Sequence, residues 1–196
     1  LLAFSAHKLY GPKGVGALYV RRKNPRVTLT AQLDGGGHER GLRSGTLNVP
    51  GIAGFGKACE LCLQQMEQEG KRIARLRDKL ENALLQLEET RVNGSLVDRL
   101  PNVTNISFRY VESEALMMGF NKDIALSSGS ACTSASMEPS HVLKAMGLDD
   151  DTAHGSLRFS LGRYTTEAEI DFVIDRVTAS VQQLRSLSPR WELRMQ

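Results

Sequence analysis

From Ile52 to about Glu89 the residues follow one rule: Ile73, Leu76, Leu80, Leu84 and Leu87 recur at steps of three and four, with charge between them. Those steps put them on one face of an α-helix, and an apolar face of that length has to be covered by other elements. Gly70 is a poor helix former and is expected to bend or split the segment. Cys59 and Cys62 form a C-x-x-C on the same stretch. A metal or redox site would need two more ligands or a thioredoxin-like setting. Neither is visible, so both read as core or helix-surface thiols.

The flanking sequence supplies strands and further helices. Leu1 to Phe4 reads as the end of a buried strand and Val15 to Val20 as a second strand, with Ser5-Ala6-His7-Lys8 and Gly11-Pro12-Lys13-Gly14 as the turn between them. An apolar run at residue 1 looks like a strand cut open, so the chain is expected to be a fragment. Asn102 to Tyr110 alternates like a strand, and so does Ser156 to Leu161, where Leu157, Phe159 and Leu161 share one face and Ser156, Arg158 and Ser160 the other. Glu112 to Phe120 reads as a short helix with Met117 and Met118 as core filler. Glu138-Pro139-Ser140 starts another helix, which Gly147 caps. Asp149-Asp150-Asp151 lacks calcium-loop spacing and reads as a solvated turn. Thr165-Thr166-Glu167-Ala168-Glu169 fits a helix N-terminus, followed by the stripe Ile170, Val173, Ile174, Val177, Val181 and Leu184.

Composition narrows the class. Twenty-five basic against 22 acidic residues give a formal charge of +3, which argues against a dedicated nucleic-acid binder. Three cysteines at irregular spacing do not make a secreted disulfide framework, so a reducing interior is expected. The apolar start is far too short for a signal or membrane segment, and the protein reads as soluble.

Five stretches carry chemistry. Ser127-Ser128-Gly129-Ser130-Ala131-Cys132-Thr133-Ser134-Ala135-Ser136 surrounds one thiol with small hydroxylated residues, and is expected to be an accessible, mobile loop. An accessible cysteine becomes a nucleophile when its pKa falls or a base is near; the alternative is a polar surface loop with an incidental Cys. Lys8 follows an apolar strand and suits a Schiff-base nucleophile, with a solvated turn lysine as the alternative. Ser5 and His7 flank it as donors suited to a phosphate. Gly35 to Thr46 is a glycine-rich loop with arginines, the kind that lets backbone amides approach an anion. Arg158, between serines on a strand face, invites a carboxylate in two parallel bonds, or else a surface salt bridge. Arg21, Arg22, Lys23 and Arg26 form a short basic cluster that is either a solvated face or a dock for an acidic partner.

Together Ser-Ala-His-Lys, Arg-Ser-Gly-Thr, Ser-Ser-Gly-Ser-Ala-Cys-Thr-Ser and Arg-Phe-Ser-Leu-Gly-Arg resemble the pyridoxal-phosphate cysteine desulfurases of the NifS/IscS type, from about Phe4 to Trp191. The resemblance covers only the C-terminal half of such an enzyme. It implies an α/β, aminotransferase-like fold type I architecture. Residues 1–50 would be the end of the large cofactor domain, 51–90 linking helices, and 91–196 a small α+β domain with an antiparallel sheet and the cysteine loop. It also implies roles: Lys8 holds the cofactor and moves the substrate Cα proton, and Ser5 and His7 contact its phosphate. Thr46 reaches the phosphate in the neighbouring site of a homodimer, and Arg158 grips the carboxylate of L-cysteine. Cys132 takes the sulfur as a persulfide, leaving alanine, and is available to a nascent iron-sulfur cluster; no resident metal is implied. The length of the loop, about ten residues spanning roughly 30 Å when extended, resembles the group that feeds iron-sulfur assembly and tRNA thiolation. Implied partners are an iron-sulfur scaffold protein and other sulfur acceptors, with frataxin or ferredoxin at Arg21, Arg22 and Arg26. The implied compartment is the bacterial cytoplasm or the mitochondrial matrix.

The family's N-terminal half carries the ring-stacking histidine and the aspartate on the ring nitrogen, which are not in this sequence. The isolated chain is therefore expected to bind the cofactor weakly and to turn over little or no cysteine. Members also extend past the Trp191 region with a tail that docks the scaffold, so scaffold docking is expected to be impaired. A selenocysteine lyase or aminotransferase on the same fold, and a non-catalytic module that only dimerises or docks partners, are the competing functions.

Overall fold

The computed structural model of the 196-residue chain describes residues 1–128 and 139–194. It divides into two compact units, Leu1–Glu67 and Gln68–Gln196.

In the first unit β1 (Leu2–Ser5) pairs antiparallel with β2 (Gly16–Tyr19), Leu2 opposite Tyr19 and Ser5 opposite Gly16. Gly16 permits that closeness, because a Cβ there would stand 2.6 Å from the Phe4 carbonyl oxygen. The strands join through a 3-10 turn, Ala6–Leu9. A second 3-10 turn, His38–Gly41, lies inside the glycine-rich loop, with Glu39 and Arg40 at positive φ. The apolar content of β1 leads one to expect a buried strand, but Leu2, Phe4, Leu18 and Tyr19 are all exposed. Among the described residues β1 has one strand neighbour and little to cover it, apart from the edge contact of Phe4 with Phe55.

α1 (Val49–Leu84) is a single helix of 36 residues that begins in the first unit and ends in the second. Asn48 caps its start by accepting a hydrogen bond from Gly51 N–H, with Pro50 in the first turn. The helix runs through Gly70, contrary to the break expected there. A helical glycine costs only about 1 kcal/mol, and the burial of Ile73, Leu80 and Leu84 beyond it outweighs that.

The second unit is an α+β assembly. Its four-stranded antiparallel sheet has the order β3 (Thr90–Val92), β4 (Val103–Phe108), β6 (Ser156–Ser160), β5 (Ser127–Ser128). Ile106, Phe108, Leu157 and Phe159 join one core with Ile73, Leu80 and Leu84 of α1, Leu116 and Phe120 of α2 (Ser113–Phe120), and Ile170, Val177 and Val181 of α5 (Glu167–Ser186). α5 starts with a capping box: Thr166 Oγ1 accepts from Glu169 N–H, and the Glu169 carboxylate accepts from Thr166 N–H. Three short helices complete the unit: α3 (His141–Ala145), α4 (Asp150–His154) and α6 (Pro189–Leu193).

Two expectations change here. Met117 packs on the core, but Met118 is exposed, because Leu116 and Phe120 set the inward face of α2. Asp149 to Asp151 is no mere solvated turn: Asp149 caps α4 by accepting from Thr152 N–H at 2.9 Å, and the next two acids lie in the first helical turn, where carboxylates are favoured. No helix among the described residues is long and apolar enough to cross a membrane.

Candidate cofactor and substrate site

The lysine-bearing turn is fixed by its backbone rather than by its side chains. Ala6 is fully buried and donates its N–H to the Val15 carbonyl at 3.0 Å, while its own carbonyl accepts from Gly11 N–H at 2.9 Å. Tyr10 ends the turn in the left-handed region at φ 61°. Residues 5 to 8 are thereby held in place while His7 and Lys8 remain exposed. The hydroxyl of Ser5, the imidazole of His7 and the amine of Lys8 make no hydrogen bond or ion pair among the described residues, and Ser5 does not use its hydroxyl as a cap.

The Gly35 to Thr46 loop folds on itself. Ser44 Oγ donates to the Gly36 carbonyl at 2.6 Å and Arg43 Nη1 to the Gly45 carbonyl at 3.1 Å, and Thr46 is exposed, its side chain without a partner among the described residues. Arg21 closes the basic loop through Nη1 to the Asn24 carbonyl. Arg22, Lys23 and Arg26 are exposed and, like Arg21, have no carboxylate partner among the described residues.

In the second unit Arg158 occupies the face of β6 opposite Leu157 and Phe159. The strand alternates here between two buried apolar residues and two exposed polar ones. Ser156 shares the polar face but is fully buried, because its hydroxyl bonds Ser107 Oγ and the Thr152 carbonyl. Arg158 has no salt bridge among the described residues. Its Nη2 donates to Ser127 Oγ at 3.3 Å. Ser127 and Asn105 are its direct cross-strand partners. Asn105 carries little signal by residue type, only that of a lone carboxamide in β4 alternating with Thr104, Ile106 and Phe108.

Cys132 lies outside the described residues, as does most of its loop. Cys59 is exposed, and half-buried Cys62 sits with its sulfur 3.6 Å from the Leu9 carbonyl oxygen. The described residues contain no cluster of three metal-ligating side chains. A cavity of about 150 Å³ is lined by Arg109, Tyr110, Glu112, Asp151, Ser188 and Arg190, none of them a site residue expected from the sequence. Its two arginines are engaged, with Glu89 and Asp151.

The chain that carries this strand-turn-strand and this antiparallel α+β unit belongs to the family described as "Aminotransferase class-V", which matches residues 1–173. Among curated proteins it is 60% identical over 193 residues to "Cysteine desulfurase IscS" of Mannheimia succiniciproducens, covering 98% of this chain and 47% of that protein. It is 61% identical over 194 residues to the protein of the same name from Anaeromyxobacter sp. strain Fw109-5, covering 98% and 48%. Among solved structures, a "NIFS-LIKE PROTEIN" superposes with a TM-score of 0.77 at 36% identity, over 89% of this chain and 44% of that one. The chain spans about half the length of the curated relatives it matches. The fold is thus the part of a fold type I enzyme that the sequence implied.

Class-V aminotransferases use pyridoxal phosphate, and the donor set of the turn fits that group. It needs an amine to condense with an aldehyde and neutral or cationic donors for a phosphate. Lys8, Ser5 and His7 supply these within four residues of one another, with no partner among the described residues competing for them.

Proposed function

We propose that the chain carries the lysine turn, the carboxylate-binding arginine and the sulfur-accepting loop of a pyridoxal-phosphate-dependent cysteine desulfurase, which converts L-cysteine to L-alanine and leaves a persulfide on Cys132. The observation that carries this reading is the turn at residues 5 to 8, held by two backbone hydrogen bonds at Ala6, with three functional side chains that have no partner among the described residues. Identity near 60% to proteins named cysteine desulfurase supports the choice of reaction.

Bound pyridoxal phosphate supplies the electron sink that this chemistry needs. Ser5 and His7 would donate hydrogen bonds to its phosphate, and Thr46 would do so across a homodimer, so that each site would be shared. Lys8 Nζ would hold the group covalently and its amine would take the substrate Cα proton. Arg158 accepts the substrate carboxylate on its planar fork. Cys132 Sγ attacks the substrate sulfur as a thiolate: the S–S bond forms as the Cβ–S bond breaks. The bonding pair stays on carbon and a proton completes the methyl group of alanine, while the thiol hydrogen remains on the persulfide. In this reading residues 1–50 belong to the cofactor domain, 51–90 link, and 91–196 form the small domain.

The persulfide would pass to a scaffold or other acceptor for iron-sulfur assembly or tRNA thiolation, in the bacterial cytoplasm or mitochondrial matrix. Arg21, Arg22 and Arg26, exposed and without carboxylates of their own, would receive an acidic partner such as frataxin or ferredoxin. Charge reversal at these three should weaken that partner's binding by more than tenfold; unchanged binding removes the assignment.

The central test pairs the chain with the N-terminal half of a relative and adds pyridoxal phosphate. A yellow absorbance should appear and be lost in Lys8→Ala, whereas Cys132→Ser should keep the colour and form no alanine. Colour that survives Lys8→Ala overturns the reading. Because the chain spans about half of its relatives, a second reading is a module that dimerises or docks partners without turnover. It would be selected if no colour forms in either setting.

A further inference from the structure

Arg158 is one member of a row. Register places Asn105 of β4 and Ser127 of β5 directly opposite it on either side, so three side chains stand abreast on the same face of the sheet. Asn93, just past β3, extends the row: its N–H bonds the Asn105 carbonyl at 2.8 Å and its side-chain Nδ2 lies 2.6 Å from Asn105 Oδ1.

The hydrogen-bond network decides which way each carboxamide faces. Asn93 Nδ2 has three acceptors around it, Asn105 Oδ1, Ser107 Oγ and Ser156 Oγ, at 2.6, 2.6 and 3.2 Å. Ser156 spends its one hydrogen on the Thr152 carbonyl and Ser107 spends its own on Ser156, so an oxygen in that position would meet only lone pairs and the NH2 belongs there. Asn105 must then turn its own oxygen toward Asn93, and its NH2 is left over. At the other end, Ser127 Oγ donates to the Ser128 carbonyl at 2.9 Å and accepts from Arg158, so it holds the guanidinium and offers no free hydrogen. What the row presents is therefore a set of donors with no acceptor among the described residues: the remaining N–H groups of Arg158 and the Asn105 NH2, on cross-strand partners of one strand pair. A carboxylate has two oxygens and only lone pairs to offer, and it is the group that satisfies such a set.

We propose that Asn105 is the second donor of the substrate-carboxylate subsite, its carboxamide NH2 acting beside the Arg158 guanidinium, with Asn93 as the positioning residue that fixes its orientation. This rests on the reading of Arg158 given under the proposed function. Asn105 sets affinity for the α-carboxylate and leaves the chemistry at sulfur alone.

The test has two parts. In the ¹⁵N-labelled chain titrated with L-alanine, the Arg158 Nε–H and Asn105 NH2 resonances should both move, while L-alaninamide, which lacks the anion, should move neither. In the desulfurase reassembled with the N-terminal half of a relative, Asn105→Ala and Asn105→Asp should each raise KM for L-cysteine about tenfold or more with kcat within twofold. Asn105→Asp keeps the shape and the oxygen that Asn93 bonds, so it separates loss of the donor from loss of folding. Asn93→Ser should raise KM less, about threefold. Movement of Arg158 with a still Asn105 resonance, or an unchanged KM in Asn105→Asp, overturns the role of Asn105 and leaves that of Arg158 standing. No movement at Arg158, with KM unchanged in Arg158→Ala, overturns both.

Discussion

Glu81 shows how a single residue holds the second unit to its helix. It is 5% exposed, and Arg99 clamps its carboxylate in two parallel bonds of 2.7 and 2.9 Å while Thr104 Oγ1 donates a third at 2.6 Å. Burial alone would raise its pKa. The hydrogen bonds from Arg99 and Thr104, with the charges of Arg99 and Arg77, overcome that and hold it below the ordinary 4.5. A carboxyl lowered on folding contributes stability that is complete above its unfolded value and is lost as pH falls through the folded one. Urea unfolding followed from pH 7 down to pH 3 should show stability falling below about pH 4.5, and Glu81→Gln should flatten that fall while costing about 2–4 kcal/mol at pH 7. Equal slopes in the two proteins would remove Glu81 as the source. Gly155 holds its place for a different reason: a Cβ there would stand 2.4 Å from the Phe108 oxygen and 2.9 Å from that of Val111. Gly155→Ala should cost at least about 2 kcal/mol in the same assay, because only backbone can move to relieve the overlap.

At the scale of elements, capping and periodicity are separable. Thr166→Ala removes the oxygen that accepts from Glu169 N–H and should cost about 1 kcal/mol in thermal or urea unfolding, with the core stripe of α5 intact. The amino-acid pattern revealed α5 and its N-terminus, β4, β6 and α2, because each has a strong period or a local start signal. It was less informative where the outcome depends on what lies alongside. Gly70 reads as a break until the burial of Ile73, Leu80 and Leu84 beyond it is known, and Leu1 to Phe4 reads as buried until its neighbours are counted. The same limit hid Asn105. Lys8 and Arg158 stand out by residue type, but the worth of a carboxamide depends on its cross-strand neighbours, and register between strands separated by tens of residues is not a local property.

For the molecule as a whole, Leu2, Leu18 and Tyr19 are exposed on the β1–β2 ribbon, and exposed apolar strand side chains favour association. The chain should self-associate as its concentration rises in sedimentation experiments, and Leu2→Ser with Leu18→Ser should shift the average mass toward the monomer; identical profiles would show that the ribbon is not the contact. β6 has a consequence for how such a chain can change over time. Its five residues face the core with one set of side chains and the polar row with the other, so point replacements can retune either side almost independently. Adding or deleting one residue would turn Leu157 and Phe159 outward and drive the Arg158 guanidinium into hydrocarbon. Length variation among descendants of this sequence should therefore gather in the connections around β6 and spare the strand itself.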